Sequence, residues 1–499
     1  MERRNDELLI PQLQSPVAII LILYKFFLLV LRNALPIIIL LVFNKGQQRD
    51  NFEILIIIAI SLISTVLSIA AYYKFRYHIK DDEIVINKGI IKKVNLNVPF
   101  DRIQAINTNQ NLIHRIFNVA SIEIDTAGSK NSEIKIDAIS IDKAKRLKEY
   151  ILSQKALTAA VSNKETKELG SLELITEEKE MLHLDIPALL KVGIGQNHFR
   201  SFTIIGLFIL GLTQYADMIF SEKEYASFSD QVETTAMSFI LIITLLIIIA
   251  TFVFTLFRTV LKYYNLRFKE TNLGYRLVSG LFTRNEKQAN FNKIQLVGWH
   301  TNPIKKLFGM FELNLSQAFS STMVKGQTLQ IPGMYADQLE GVCDSYFPFQ
   351  KRKDYLLHPI SPRLMIRTFA KISALVFALG LANYLNSHIE MHWTLLVMVL
   401  VFSILYTYVT WKKWQIKISS NGILIRNGFI RTSYILLRWE KIQGLRSRQS
   451  IFQKRHALTD LHIFTAAGTL KVPYMNEHTV EELQDYLLYF VETNHKPWM

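Results

Sequence analysis

The stretch from Gly89 to Ile124, GIIKKVNLNVPFDRIQAINTNQNLIHRIFNVASIEI, occurs in three versions along the chain. The second version is GLFTRNEKQANFNKIQLVGWHTNPIKKLFGMFELNL, from Gly280 to Leu315, and the third is GFIRTSYILLRWEKIQGLRSRQSIFQKRHALTDLHI, from Gly428 to Ile463. The three align without a gap, and so many coincidences in one register indicate an internal repeat. The coinciding residues are Gly89, Gly280 and Gly428; Phe100, Phe291 and Trp439; Arg102, Lys293 and Lys441; and Ile103-Gln104, Ile294-Gln295 and Ile442-Gln443.

Each repeat has the pattern of a small β-rich domain. In the first repeat, Ile84-Val85-Ile86, a turn at Gly89 and a second apolar run predict a strand, a tight turn and a strand, because Gly tolerates the positive φ of such turns. Each repeat closes with apolar residues on one helical face. Short antiparallel strands and one C-terminal helix together predict a β-barrel or sandwich. The predicted closing helices are Ile141 to Leu152, Ala336 to Phe347 and His478 to Phe490.

Two apolar segments precede each repeat. A helix needs about 20 apolar residues to cross the hydrocarbon core of a bilayer. The cleanest segment, Thr234 to Phe257, contains no charged residue. The sequence therefore predicts six spans in three helical hairpins. The paired segments are Pro16 to Phe43 with Ile54 to Tyr73, Phe202 to Phe220 with Thr234 to Phe257, and Ile372 to Ile389 with Met391 to Trp411.

The first apolar segment admits two interpretations, because it carries Lys25, Arg32 and Asn33. Arg32 can lie inside the membrane as a functional charge. Alternatively, the part up to about Arg32 lies along the membrane surface as an amphipathic helix, and the span begins there. We favour the second interpretation, since Lys25 and Arg32 fall on one helical face.

The charges that flank the spans predict their orientation. The loop at 221–233 has one Lys against four acidic residues, and the loop at 386–390 has no Lys or Arg. Cations cluster after the second, fourth and sixth spans, so the positive-inside rule places both termini and all three domains in the cytoplasm. Lys45 and Arg49 in the first loop argue against this orientation, but the other two hairpins outweigh them. The N-terminus lacks the pattern of a removable signal peptide, and we expect an inner-membrane protein.

These patterns divide the chain into hairpins and domains. The predicted boundaries are 16–75 for hairpin 1, 76–153 for domain 1, 154–186 for a linker, 187–260 for hairpin 2, 261–347 for domain 2, 348–361 for a linker, 362–411 for hairpin 3 and 412–493 for domain 3.

The first repeat resembles the bacterial PH domain family. That family typically shows RIQ, then Q-x-x-x-x-R, an alternating strand and TAG, which here are Arg102-Ile103-Gln104, Gln110 with Arg115, Ser121 to Ile124, and Thr126-Ala127-Gly128. Asn118 departs from the family, which has Gly there. The third repeat matches nearly as well, whereas the second has a longer segment, Ser316 to Gly326, in place of the TAG hairpin. The resemblance implies three PH-like domains and implies no catalytic residues.

No motif for enzymatic chemistry appears in the sequence. It has no P-loop, GxGxxG after a strand, HExxH or GxSxG. The single cysteine, Cys343, excludes an internal disulfide and any multi-cysteine metal site. We therefore expect no catalytic residues, cofactor or metal. His183 and His358 recur before two hairpins, either as titratable sensors or, as we favour, at a helix start or against headgroups.

Two recurring positions are candidates for interaction or for structure. The cation at Arg102, Lys293 and Lys441 either contacts lipid phosphate or a neighbouring domain, or is a solvated residue at a strand start. The amide at Gln104, Gln295 and Gln443 either binds a ligand or, as we favour, is buried and holds a loop, because buried polar groups need partners.

The favoured function is a non-enzymatic membrane protein that presents three cytoplasmic PH-like domains to proteins, to itself or to lipid headgroups, in envelope homeostasis. The expected partners are the bilayer and either a second copy or another membrane protein. A transporter or channel component is the alternative, for which Asp217 in the third span is the one acidic residue of interest. A lipid-modifying enzyme lacks converging acids or metal ligands, and nucleic acid is disfavoured because the basic residues follow the membrane boundaries.

Overall fold

The computed structural model describes residues 6–24, 62, 65–90, 92–126, 134–162, 178–198, 202, 203, 206, 222–272, 274–317, 328–346, 356–385, 393–419 and 422–493. The chain divides into two compact units. Unit 1 comprises Met1–Glu177, His183–Arg267 and Arg276–Gln288, and unit 2 comprises Glu178–Leu182, Phe268–Tyr275 and Ala289–Met499.

The first repeat lies in unit 1 and is built from two antiparallel groups of strands. One sheet has the order β1-β2-β3-β4, and β5, β6 and β7 are neighbours in a second sheet. Ile84, Ile122, Ile136 and Leu147 are buried between the strands and the closing helix. The elements are α1 (Asp6–Leu9), β1 (Gln12–Leu13), β2 (Arg76–Lys80), β3 (Glu83–Lys88), β4 (Val94–Pro99), β5 (Ile103–Gln110), α2 (Leu112–Ile116), β6 (Val119–Thr126), β7 (Ile134–Ser140) and α3 (Ile141–Ser162).

The second repeat follows the same order of elements. Its core includes Leu313, Leu315, Ile331 and Val342, all fully buried. The elements are β8 (Lys179–Leu184), α4 (Ile186–Ile194), α5 (Glu222–Tyr263), β9 (Leu266–Thr271), β10 (Gly274–Ser279), β11 (Arg284–Asn290), β12 (Ile294–Thr301), α6 (Pro303–Leu307), β13 (Met310–Gln317), β14 (Thr328–Tyr335) and α7 (Ala336–Tyr346).

The third repeat lies in unit 2, and its core includes Ile416, Leu437, Trp439 and Leu461. Its last three strands form a sheet of their own, β19-β20-β21. The elements are β15 (Leu356–Pro359), α8 (Arg363–Leu385), α9 (Trp393–Lys413), β16 (Gln415–Ser419), β17 (Gly422–Gly428), β18 (Thr432–Arg438), β19 (Ile442–Arg448), α10 (Ile451–Lys454), β20 (Leu458–Thr465), β21 (Gly468–Asn476) and α11 (Glu477–Thr493).

The turns and the closing helices agree with the sequence prediction. Gly89, Gly280 and Gly428 adopt φ angles of 108°, 113° and 131°, which side chains rarely tolerate. At Gly280 an added Cβ would lie 1.9 Å from the Thr283 carbonyl oxygen, so the tight turn requires glycine. The closing helices α3, α7 and α11 begin within one residue of their predicted starts, and α3 continues beyond its predicted end to Ser162.

A short strand before each hairpin was not predicted. β1, β8 and β15 each pair with the first strand that follows the hairpin, as in Gln12 with Tyr77 and His358 with Ile416. Both His183 and His358 lie in strands, β8 and β15, so the predicted helix start is wrong at both positions, and contact with headgroups stays a prediction. His183 Nε2 lies 2.9 Å from Asn265 Oδ1. Strands of two to six residues are too short to carry a readable period, and β8 and β15 fall in the two segments predicted to be linkers.

Three helices in the described part of the chain are long and apolar enough to cross a membrane. They are Ile242–Tyr263 within α5, Arg363–Leu385 and Trp393–Lys413. They correspond to the fourth, fifth and sixth predicted spans. The predicted spans Pro16 to Phe43, Ile54 to Tyr73 and Phe202 to Phe220 lie largely outside the described residues, although residues 17–24 and 65–74 are helical.

Candidate functional site: the strand junctions between repeats

The first repeat is joined to the second by antiparallel strand pairing. In unit 1, β5 pairs with β11, with Gln110 opposite Arg284, Asn109 opposite Asn285 and Thr108 opposite Glu286. The resulting seven-stranded sheet has the order β7-β6-β5-β11-β10-β9-β8. We call this pairing junction 1. It continues a sheet of one repeat into the first sheet of the next.

The second repeat is joined to the third in the same way. In unit 2, β12 pairs with β18, from Val297 opposite Leu436 to Thr301 opposite Thr432. The resulting sheet has the order β14-β13-β12-β18-β17-β16-β15. We call this pairing junction 2.

The two junctions have one register. In the gap-free alignment of the repeats, Gln110 and Thr301 occupy the same position, and so do Arg284 and Thr432. Gln110 pairs with Arg284 at junction 1, and Thr301 pairs with Thr432 at junction 2. A shift of one residue would turn every side chain to the other face. The repeats therefore carry one specific docking geometry, used twice.

Junction 1 is flanked by partly buried charged side chains. The Glu286 carboxylate accepts a hydrogen bond from Lys148 of α3 and lies 3.0 Å from Arg276 Nε. Burial by itself raises the pKa of Glu286, but Lys148 and Arg276 outweigh burial and lower it overall. The pairing of β5 with β11 is therefore supported by an ion pair between the first repeat's closing helix and the second repeat.

Junction 2 is flanked by aromatic stacking and by bonds to the backbone. Trp299 and Tyr434 lie directly opposite each other and stack with ring centroids 5.3 Å apart. Lys441 Nζ donates a 2.8 Å hydrogen bond to the Asn292 carbonyl, and burial lowers the pKa of Lys441. Arg438 donates a 3.1 Å hydrogen bond to the Tyr346 carbonyl at the end of α7. The third repeat thus contacts the second through side chains as well as through the strand ladder.

A buried charge cluster lies beside junction 2. Lys305 Nζ is 2.7 Å and His300 Nε2 is 3.0 Å from Glu312 Oε2, and the Lys305 side chain is only 4% exposed. Burial raises the pKa of Glu312, but the hydrogen bond from His300 and the charge of Lys305 outweigh burial and lower it to about 2. Burial also lowers the pKa of His300, although Glu312 opposes that effect. At neutral pH the cluster is a Lys–Glu ion pair with a neutral imidazole.

Comparison with known proteins assigns the repeats to one family. Residues 18–155, 206–346 and 373–491 each match the family described as Bacterial PH domain. The chain belongs to the bacterial PH domain family. The three repeats are therefore bacterial PH domains, here numbered PH domain 1 to 3 in chain order.

Two similar proteins come from Bacillus subtilis (strain 168). The UPF0699 transmembrane protein YdbT is 24% identical over 489 residues, which cover 95% of each chain. The UPF0699 transmembrane protein YdbS is 32% identical over 77 residues, which cover 15% of this chain and 46% of YdbS. Full-length similarity to a transmembrane protein and the three apolar helices make this chain a membrane protein with repeated PH domains.

The recurring cation has a different environment in each PH domain. Arg102 is exposed, Lys293 is half-buried and Lys441 is buried. All three occupy the end of a short 3-10 turn that precedes the strand β5, β12 or β19. Lys441 is the copy whose contact with a neighbouring domain is described above. The solvated alternative describes Arg102 and does not describe Lys441.

The recurring glutamine differs between domains as well. Gln295 is fully buried, and neither polar atom of its side-chain amide has a hydrogen-bond partner among the residues that the structure describes. Gln443 is exposed, so the favoured interpretation as a buried amide is wrong there. The side chain of Gln104 lies outside the described residues. The pairing of β12 with β18 begins at Val297 and does not include Gln295, so the added strand alone does not account for its burial. Tyr346 of the closing helix α7 covers this residue, and its hydroxyl donates a 2.8 Å hydrogen bond to the Gln295 carbonyl.

One repeated polar position was missed in the sequence. His114, Lys305 and Gln453 align, and all three are buried polar residues of the short helices α2, α6 and α10. His114 Nε2 lies 2.8 Å from the Asp137 carbonyl, and Gln453 Nε2 donates a 2.6 Å hydrogen bond to Asp460. The alignment of the repeats shows that this position is polar in all three, but the three residue types differ, so the position does not stand out as conserved between repeats. Among the described residues no cluster of three or more His, Cys, Asp or Glu could hold a metal ion.

Proposed function

We propose that this chain is a non-enzymatic scaffold of the inner membrane, whose three PH domains face the cytoplasm and bind proteins through the open edges of their sheets. Six spans in three hairpins anchor three small β-barrels or sandwiches in this proposal. Its physiological setting is envelope homeostasis. One observation carries the proposal, namely that these PH domains already bind one another by strand addition in one fixed register.

Strand addition is a recurrent mode of protein recognition. Main-chain hydrogen bonds supply affinity, and side chains on alternate residues supply specificity. Junction 1 uses a charged pair for that purpose, and junction 2 uses Trp299 against Tyr434. The same backbone geometry can therefore accept different neighbours by changing a few side chains. A binding surface of this kind needs no catalytic group.

The alternative, a transporter or channel component, has less support. In α5 the hydroxyls of Thr255 and Thr259 donate 2.8 Å hydrogen bonds to the carbonyls of Thr251 and Thr255, four residues earlier. Such bonds satisfy polar groups within one helix and supply no pathway between helices. The apolar stretch Ile242 to Phe257 also contains no Asp, Glu, Lys or Arg.

Labelling of single cysteines tests the cytoplasmic placement of the domains. In a Cys343→Ala background, the exposed residues Glu149, Asp337 and Asp485 of the three closing helices are replaced one at a time by cysteine. A membrane-impermeant maleimide should label each cysteine in inverted membrane vesicles and spare it in intact cells. Ser387→Cys, in a loop that the sequence places outside, is the matched control and should react in intact cells. Labelling of any domain cysteine in intact cells would overturn the proposal.

Cross-linking in cells followed by mass spectrometry tests protein binding. The full chain should give cross-links from lysines of the PH domains to proteins at the cytoplasmic face of the membrane, including its own copies. Complete absence of such cross-links from a chain that is present at normal abundance would contradict a scaffold.

A further inference from the structure

Two strands of the junction type lie at sheet edges. Among the described residues, β4 ends the sheet β1-β2-β3-β4, and β19 ends the sheet β19-β20-β21. β4 corresponds to β11 and β18, which are the strands that a repeat offers to the repeat before it. β19 corresponds to β5 and β12, which are the strands that a repeat offers to the next. In the part of the chain that the structure describes, one strand of each kind is therefore paired with no other repeat.

The exposure of these strands agrees with their edge positions. Asn95 and Asn97 of β4 are exposed, as are Arg446, Ser447 and Arg448 of β19. Leu436 occupies the repeat position of Asn97, and it is fully buried at junction 2. An open strand edge exposes backbone N–H and C=O groups that can pair with another chain.

We infer that β19 of one molecule pairs with β4 of a second copy of this chain, in the register of junctions 1 and 2. The two complementary strands lie on the same polypeptide, and the two internal junctions are the interface that this pairing continues. The inference rests on the proposed function, because it names the partner that one open edge would take.

The shared register states which residues would meet. Ser447 would lie opposite Asn95 of the second copy, because the aligned residues Trp299 and Tyr434 are opposite each other at junction 2. By the same rule Arg446 faces Leu96, Arg448 faces Val94, and Lys93 faces Gln449. No two cations are directly opposite, although both strands carry basic residues. Pro99, which cannot donate a ladder hydrogen bond, lies outside the paired positions.

The recurring cation adds charge complementarity. At junction 2, Lys441 donates its hydrogen bond to the backbone of Asn292. Arg102 aligns with Lys441, and Glu440 aligns with Asn292. In the inferred pairing, exposed Arg102 of the second copy reaches the backbone of Glu440, whose carboxylate now lies 2.7 Å from Arg438. The carboxylate of Glu440 thus takes the place that the neutral side-chain amide of Asn292 has at junction 2. A negative charge there favours the nearby guanidinium of Arg102.

Pairing of this kind is head to tail. Each copy keeps one unused β4 or β19 after the first contact, so copies add in series until a ring closes or the array ends. The oligomer is held in the membrane by the spans of each copy, which keeps the PH domains at one surface.

Disulfide trapping in membranes tests the inference with the full chain. Two versions with different affinity tags are co-expressed in a Cys343→Ala background, one with Ser447→Cys and one with Asn95→Cys. Directly opposite residues of an antiparallel pair have Cα atoms close enough for a disulfide. Oxidation with copper phenanthroline should yield a dimer that carries both tags. The pair Arg448→Cys and Val94→Cys should do the same, which keeps the test valid if one variant fails to fold.

The matched control moves the cysteine to the far edge of the same sheet. Thr469 of β21 is exposed like Ser447, and Thr469→Cys with Asn95→Cys should lose the mixed-tag dimer. Arg102→Glu should lower the yield with Ser447→Cys, whereas Lys80→Glu, at an exposed lysine of β2, should not. Equal yields from Ser447→Cys and Thr469→Cys would overturn the inference.

A single chain that carries both Ser447→Cys and Asn95→Cys distinguishes pairing of β19 with β4 of a second copy from pairing with β4 of the same chain. Pairing between copies gives a ladder of dimers and larger species on a non-reducing gel. An internal disulfide without a ladder would show that β19 meets β4 of its own chain and would overturn the inference. If the ladder is absent but the PH domains are still not labelled by maleimide in intact cells, only the pairing with a second copy is contradicted. If maleimide labels a PH-domain cysteine in intact cells, the proposed cytoplasmic function is contradicted, whatever the disulfide test shows.

Discussion

Strands β12 and β19 occupy the same place in PH domains 2 and 3, yet their environments differ. Residues Ile294 to Val297 of β12 are all buried, whereas β19 is exposed at Gln443 and from Arg446 to Arg448. The Ile-Gln pair is identical in both strands. β18 pairs with β12 from Val297 to Thr301, the part that aligns with the exposed residues Arg446 to Arg448, whereas no described strand pairs with that side of β19. Burial of this strand is therefore a property of its neighbour, and the cost of a substitution should depend on which repeat carries it.

The largest effect should come from the buried charge beside β12. Glu312→Gln leaves the Lys305 ammonium buried without a counter-ion, which costs about 3–5 kcal/mol of unfolding free energy. Hydrogen exchange of peptides from β13 in the detergent-solubilised full chain measures this loss. Asp460→Asn is the aligned control, and its partner Lys471 is 48% exposed, so water replaces the lost contact at smaller cost. Equal losses in the two variants would show that burial of the lysine partner does not set the cost.

The second largest loss of stability is expected at Leu436, and Asn97, at the same repeat position, is its control. Leu436→Ala removes a fully buried side chain opposite Val297, and such changes cost about 2–5 kcal/mol. Asn97→Ala changes the exposed residue at the same repeat position and should cost less than about 0.5 kcal/mol. Faster exchange of β12 amides in Leu436→Ala alone is expected. A comparable loss of protection in the β2–β4 sheet of Asn97→Ala would mean that β4 is already covered.

The sequence predicts the elements of each repeat well, because turns, alternation and helical faces are local patterns. Gly89 and its equivalents, the closing helices and the buried aromatic residues Phe100 and Trp439 followed from such patterns. The junctions did not, because pairing between repeats joins residues that are far apart in the chain, such as Asn109 and Asn285. The buried cluster was also missed, since Lys305 and Glu312 look like surface residues until the strands of PH domain 2 enclose them.

Acidification should reduce the difference in unfolding free energy between the wild type and Glu312→Gln. The folded-state pKa of Glu312 is about 2 and lies below the ordinary value of 4.5. A depressed carboxyl pKa stabilises the fold above the unfolded-state value, and that stabilisation is lost as the pH falls towards 2. The shift corresponds to about 3 kcal/mol. Below the ordinary pKa of 4.5, the difference in β13 protection between the two proteins should narrow. A constant difference down to pH 3 would contradict this charge assignment.

The smallest loss of stability is expected from removal of the recurring cation, and it should differ between Lys441 and Arg102. Lys441→Met keeps the aliphatic stem and removes the donor to the Asn292 carbonyl, which should cost about 0.5–1.5 kcal/mol because one hydrogen bond is lost while Asn292 itself is exposed. Arg102→Met should leave stability within about 0.5 kcal/mol, since Arg102 is exposed. Hydrogen exchange of β12 and β18 reports the first change, and exchange of β5 reports the second. If Arg102 instead contacts a second copy, Arg102→Met lowers the mixed-tag disulfide yield without lowering protection in detergent. A loss of β5 protection in isolated, detergent-solubilised chains would place the Arg102 contact within one molecule.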